Sequence, residues 1–211
     1  MKRLSIIALA LGLAFTTNTA SAQLAVGNGQ KTVTLNDKIQ KNQFTWVSEA
    51  PLENIKGSSE GVTGSFTVDP KNIAGIRGTL STQVKTMKTG NETRDGHLQN
   101  ASWLDAAKYP TISYKIENVT DVKANGNKAT AKATGDFTMH GVTKKMTIPF
   151  EITYMPESEA TKKRASGDLV MIKADFNVGL KDFNVTGAQG IVGSKVGQTI
   201  KITAQLYGNT Q

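Results

Sequence analysis

Arg94-Asp95-Gly96-His97 sets a cation, a carboxylate and an imidazole within one or two helical turns of one another. Groups of these types can hold an anionic or carbonyl head group, or bond to backbone at a rim. Arg presents several donors in a fixed fork, and His presents a donor or an acceptor. The same residues admit an acid–base reading, with His97 moving a proton and Asp95 orienting it. Other catalytic patterns are missing. The chain has two histidines and no cysteine, and no metal-ligand spacing joins either histidine to carboxylates. No serine stands in the G-x-S-x-G form that presents a nucleophile on a strained turn. His140 precedes Gly141 at a candidate hairpin turn, where a positive backbone angle suits His better than most residues, so its reading is structural. The stretch Gly187 to Gly197 lies between two strands and fits neither phosphate-loop nor dinucleotide spacing. It reads as a mobile rim loop and a candidate lid.

These residues need elements to position them, and the clearest run from Lys128 to Tyr154. At period two, one face carries Ala129, Ala131, Ala133, Gly135, Phe137 and Met139, then Val142, Lys144, Met146, Ile148, Phe150, Ile152 and Tyr154. The other face is mostly Thr, Lys, Asp and Glu, as expected of an antiparallel sheet with one buried and one wet face. Three alanines and a glycine opposite Met, Ile, Phe and Tyr leave volume unfilled if the sheet closes, so the pattern predicts a barrel with room for a guest. Similar rows at Phe44–Ser48, Val62–Val68, Ile76–Val84, Ile112–Ile116, Val170–Leu180 and Ile200–Leu206, with a short Val33–Leu35 strand, bring the expected total to eight or nine. The candidate lumen residues are Phe66, Leu80, Ala131, Ala133, Phe137, Met146, Ile148, Phe150 and Phe176. Candidates for the rim or head group are Arg94, Asp95, His97 and Trp103.

One segment, Glu92 to Ala107, reads as helical. Ser102-Trp103-Leu104-Asp105 has the form of an N-cap box within it, and Pro110 stops it. Trp103 and Leu104 then either line a barrel mouth or simply pack over its end.

The 211 residues carry a formal charge of +8. Residues 1–22 have the form of a secretory signal: Met1-Lys2-Arg3, an apolar stretch from Leu4 to Phe15, and Ala20-Ser21-Ala22 before cleavage. Residues 23–211 then form one exported β domain without disulfides, stabilised by its core and strand ladders. No later run is long enough to span a bilayer as a helix, so no stable membrane anchor is expected. Lysines such as Lys132 and Lys145 occupy outward strand positions, where they aid solubility and block edge pairing. Aromatic residues are not interleaved with them, which argues against nucleic acid as a partner. Lys162-Lys163-Arg164 is a true cluster and reads as a solvated loop.

Arg94-Asp95-Gly96-His97-Leu98, Trp103-Leu104-Asp105, Lys108-Tyr109-Pro110 and the block Gly135-Asp136-Phe137-Thr138-Met139-His140-Gly141-Val142-Thr143-Lys144 together resemble the signature of the YceI-like proteins. Asp175-Phe176-Asn177-Val178 is similar to a third, weaker block. The resemblance runs from about Val62 to Leu206. It implies an extended, eight-stranded, lipocalin-like antiparallel barrel, bacterial periplasmic export, and a polyisoprenoid or similar amphiphile bound in the lumen. On that basis the expected partner is an apolar or amphiphilic small molecule, such as an isoprenoid quinone, a prenyl phosphate or a fatty lipid. No cofactor or metal is required, no catalysis is expected, and a homodimer is possible. The opening segment departs from many relatives, carrying Phe44-Thr45-Trp46 and Ala50-Pro51-Leu52-Glu53-Asn54-Ile55-Lys56-Gly57 where they have a His- and Phe-bearing strand pair. Two other classes stay open: an enzyme acting on a small amphiphile through His97 and Asp95, and a basic surface protein on a filled scaffold.

Overall fold

A computed structural model describes residues 23–210; the candidate signal segment lies outside them. Its strands are β1 (Lys31–Leu35), β2 (Gln43–Glu49), β3 (Asn54–Glu60), β4 (Thr63–Asp69), β5 (Asn72–Gln83), β6 (Met87–Lys88), β7 (Thr111–Asn125), β8 (Lys128–Met139), β9 (Val142–Met155), β10 (Leu169–Gly179) and β11 (Thr199–Thr210). All pairings between them are antiparallel. Eight of them close a barrel in the order β1-β4-β5-β7-β8-β9-β10-β11, with β11 returning to β1. The three strands beyond that circuit, β2, β3 and β6, extend the wall alongside β11 where it has left β1. Residues 208–210 of β11 pair with β1, whereas residues 200–205 pair with β2, and β2-β3-β6 leads back to the chain leaving β5.

Asn42 stands where these two circuits part. It is fully buried, so each of its polar groups must find a partner. Its backbone N–H and its Nδ2 both donate to Asp37 Oδ1 at 2.9 Å, its Oδ1 accepts from the Tyr207 N–H at 2.7 Å, and its carbonyl accepts from the Val62 N–H at 3.1 Å.

The two ends differ in filling. At the end holding the β7–β8 turn, Leu24, Val33, Phe66, Val68, Ile73, Ile152 and Tyr154 form a solid core, each at most 2% exposed. Asp168 fastens this end. Its carboxylate accepts hydrogen bonds from the Tyr154 hydroxyl, from Lys31 Nζ at 2.5 Å and from the Glu157 N–H at 2.8 Å. Burial favours the neutral acid, but these donors outweigh it and hold the Asp168 carboxyl below its ordinary range. Burial and the neighbouring carboxylate push the Tyr154 hydroxyl up, keeping it a donor.

At the other end, β8 turns into β9 through His140 and Gly141, both at positive φ (51° and 73°), as a two-residue hairpin of the right twist requires. His140 Nδ1 bonds to the Phe183 carbonyl at 3.0 Å, and the ring meets Tyr109 edge-on.

The helical expectation needs correction. Helix α1 spans Glu92–Gln99 and is capped by Asn91, whose side chain accepts from the Arg94 N–H. Ser102–Asp105 starts no helix: Asn100 turns the chain, accepting from the Ser102 N–H, and Asp105 is left-handed at φ 46°. A second short helix, α2 (Glu159–Lys162), held by a Ser158–Thr161 capping box, takes in only the first residue of the basic cluster; Lys163 and Arg164 follow in a turn.

Candidate functional site

Above the filled end the barrel is hollow. A cavity of about 650 Å³ runs up to the end covered by α1, the 100–104 turn and the 187–197 loop. Its wall is apolar and comes from every side: Phe44 and Trp46 (β2), Leu80 (β5), Tyr114 (β7), Ala133 and Phe137 (β8), Ile148 and Phe150 (β9), Phe176 (β10), and Ile202 and Leu206 (β11). Phe44, Leu80, Phe150 and Phe176 face inward yet are half-buried. Large side chains in that state inside a barrel mark space that the protein's own groups do not fill.

Sequence alone placed Leu80, Ala133, Phe137, Ile148, Phe150 and Phe176 in the lumen, and all six line the cavity. Three other lumen candidates do not. Phe66 belongs to the solid core of the closed end. Ala131, opposite Phe150 in the ladder, is buried but contributes no wall. Met146 is displaced by a break in the sheet. β9 pairs with β10 from Met155 only as far as Phe150; the next residue, Pro149, has no N–H to donate and occurs where a strand edge is free. β10 continues against β11 to Gly179, so the two strands part, leaving Met146 half-buried and Lys144 exposed. The 3-10 turn Leu180–Phe183 fills the gap, with Phe183 edge-on to Phe137 at 5.5 Å.

Two aromatic side chains shape the wall. The Tyr114 ring reaches across β8, its hydroxyl donating to the Ala133 carbonyl at 2.6 Å and lying 3.2 Å from that of Met146. Burial pushes that hydroxyl's pKa up, so it remains a neutral donor in the wall. Trp46 lies flat on Gly57, its cross-strand partner; a Cβ there would fall 2.3 Å from the indole. Both tryptophans border the cavity, Trp103 resting on Gly187 of the glycine-rich loop, where a Cβ would come within 2.6 Å. That contact ties the loop to the 100–104 turn at the mouth.

Apart from the neutral Tyr114 hydroxyl, the ionisable groups on the wall are Glu53, Arg94, His97 and Lys195, all at this mouth. Arg94 Nη2 pairs with Glu53 Oε1 at 2.7 Å, joining α1 to the turn between β2 and β3. Asp95 turns away from the cavity: its Oδ1 accepts from the Thr89 N–H at 2.7 Å and the Thr89 hydroxyl at 2.8 Å, while Oδ2 lies 3.7 Å from Lys88 Nζ. Burial opposes its ionisation, but these bonds and Lys88 keep its carboxyl below the usual range. Asp95 therefore anchors α1 to β6, and no hydrogen bond links it to His97 among the described residues. The segments that hold Glu53 and Lys195, residues 50–57 and 187–197, stood out in the sequence, but neither residue did, because each sits in an irregular stretch whose role depends on which loops the barrel brings together. Among the described residues, no group of three or more His, Asp or Glu side chains could hold a metal ion.

The model of the YceI-like domain matches residues 34–207. The chain belongs to the YceI-like family. It is 29% identical over 199 residues to a UPF0312 protein of Enterobacter sp. (strain 638), covering 93% of this chain and 94% of that one. It is 29% identical over 198 residues to protein YceI of Escherichia coli O157:H7, covering 91% and 94%. Among solved structures it resembles BcnA of Burkholderia cenocepacia, with TM-score 0.64, 19% identity and coverage of 79% of this chain and 95% of that one. It also resembles a polyisoprenoid binding domain from Saccharophagus degradans, with TM-score 0.62, 12% identity and coverage of 87% and 100%. At these identities the structural likeness concerns the barrel.

Proposed function

We propose that the protein binds a long-chain amphiphile and carries or sequesters it, the apolar chain inside the barrel and the polar end at the mouth. The observation that carries this reading is the 650 Å³ apolar cavity with its charges confined to one end; that volume lies in the range of small-molecule sites, ~300–1,000 Å³. Burial of an apolar chain against this wall supplies affinity at about 25 cal/mol per Å². A polyisoprenoid is a fitting guest, since a binding domain of that description shares the barrel. An isoprenoid quinone, a prenyl phosphate and a fatty lipid are candidates within that class. With residues 1–22 read as a signal, the carrier works in the periplasm. We assign it no covalent chemistry, because His97 lacks an orienting carboxylate once Asp95 is committed to Thr89 and Lys88.

Native mass spectrometry of protein purified from its own host tests the reading. A retained lipid mass that is lost on organic extraction is the expected result. A protein that is empty, and that also fails to take up an apolar fluorescent probe, overturns it.

A further inference from the structure

We infer that the mouth selects amphiphiles whose head carries a single negative charge, a long-chain carboxylate being the simplest, and that Lys195 is the cation that receives it. The inference rests on the carrier reading and narrows the head group left open there.

Besides the neutral Tyr114, four ionisable side chains border the cavity: Glu53, Arg94, His97 and Lys195. Arg94 and Glu53 are 2.7 Å apart and each is about one-third exposed, so they neutralise one another. Lys195 has no acidic partner within 4.0 Å among the described residues. Its position is fixed by backbone instead: the Leu52 N–H donates to the Ser194 carbonyl at 3.0 Å, and the Gly197 N–H to Ser48 Oγ at 2.8 Å. With His97 counted as neutral, the formal charge at the mouth is therefore one net positive, available on Lys195. Deeper in, the wall has no charged group, so an anion cannot descend without losing its hydration and must stop where Lys195 stands.

The same arrangement works against a head with two or more charges. To draw on a second cation it must take Arg94 from Glu53. The Glu53 carboxylate is then left unpaired beside the incoming anion, and like charges at that separation repel.

Palmitate, methyl palmitate and hexadecyl phosphate share one chain length and differ in head charge; at pH 8 the phosphate is close to dianionic, its second pKa being about 6. They would be titrated into the parent, Lys195→Gln and Glu53→Gln proteins, with quenching of Trp46 and Trp103 as the readout. For an exposed lysine we expect palmitate to bind about 2–5-fold tighter than the ester, and the advantage to fade with salt. Lys195→Gln should erase that advantage while ester binding is retained, and Glu53→Gln should improve the phosphate relative to palmitate. Equal binding of acid and ester, survival of the preference in Lys195→Gln, or a parent protein that prefers the phosphate would overturn the inference alone. Failure of all three chains to bind would overturn the carrier reading, and this inference with it.

Discussion

Arg94 on α1 and Glu53 in the turn between β2 and β3 form an ion pair 2.7 Å long on the border of the cavity. It connects the helix to the β2–β3 strand pair at this end of the barrel, so in the proposed carrier it is a candidate barrier to exchange of the guest. The pair is one-third exposed at both ends and therefore of modest strength, about 0.2–1 kcal/mol.

Neutralising either partner should loosen the mouth without loosening the barrel. Arg94→Gln and Glu53→Gln are expected to speed release of a neutral apolar probe by up to about fivefold, the rate equivalent of ~1 kcal/mol. The double variant should release it no faster than the singles, and urea midpoints should stay close to the parent. Stopped-flow displacement measures the rates. Unchanged release in all three variants would show that the pair plays no part in exchange.

Ala133 and Ala131 sit two residues apart on the inward face of β8, yet one borders the cavity and the other does not. Ala133→Trp should therefore fill guest space, lowering probe affinity or stoichiometry at small cost to stability. Ala131→Trp has no free volume to enter and should destabilise by about 1–3 kcal/mol or more through overpacking. Probe titration paired with urea unfolding separates the two. Equal destabilisation by both would mean that the wall at Ala133 is closed.

The sequence revealed the barrel because its signal is local: alternation along β8 and β9 places each side chain on one face whatever the rest of the chain does. The hollow was expected from three alanines and a glycine, and only one of the four borders it: Ala133 lines the cavity, Ala129 and Ala131 are packed wall, and Gly135 makes room for the Lys115 backbone of β7. Phe66, Ala131 and Met146 could not be sorted from true lining residues by alternation, since a face says inward but not at what height. Pro149 was the available clue for Met146, because a proline inside a strand marks a free edge. The mouth was least legible. Glu53 and Lys195 are 142 positions apart in sequence and meet the same cavity through loop contacts, while Asp95, two residues from His97, serves a different neighbour altogether.

Gly57 gives a test of how the wall is held back. Trp46 lies on it so closely that any Cβ would fall 2.3 Å from the indole, and the ring can yield only toward the cavity or by displacing β3. Gly57→Ala should shift the Trp46 emission and reduce probe affinity severalfold, while circular dichroism shows strand content retained. Gly61, where a Cβ meets nothing within 4 Å although φ is +75°, supplies the control: Gly61→Ala should cost stability through backbone strain alone and leave probe affinity intact. Matching effects of the two on probe binding would remove Trp46 from the wall.

The closed end predicts the response to acid. Asp168 is buried and ionised, held by Tyr154, Lys31 and the Glu157 N–H, with a folded-state pKa below that of the unfolded chain. A depressed carboxyl contributes stability that is fully present above the ordinary carboxylate range, and loses it as pH falls through the folded value. Asp168→Asn should therefore destabilise at pH 7 by about 1.5–3 kcal/mol, the worth of a hydrogen bond to a charged group. The gap from the parent should persist at pH 5 and shrink steadily below about pH 4. Lys31→Gln should cost under ~1 kcal/mol, since that lysine is 38% exposed and its pairing is screened. Tyr154→Phe should fall between the two, because it removes one donor while leaving the carboxylate its other partners. Urea unfolding from pH 7 to pH 2 gives the comparison; a gap for Asp168→Asn that stays constant into acid would mean that the carboxylate's charge contributes nothing, and that the cost lies in packing around β10.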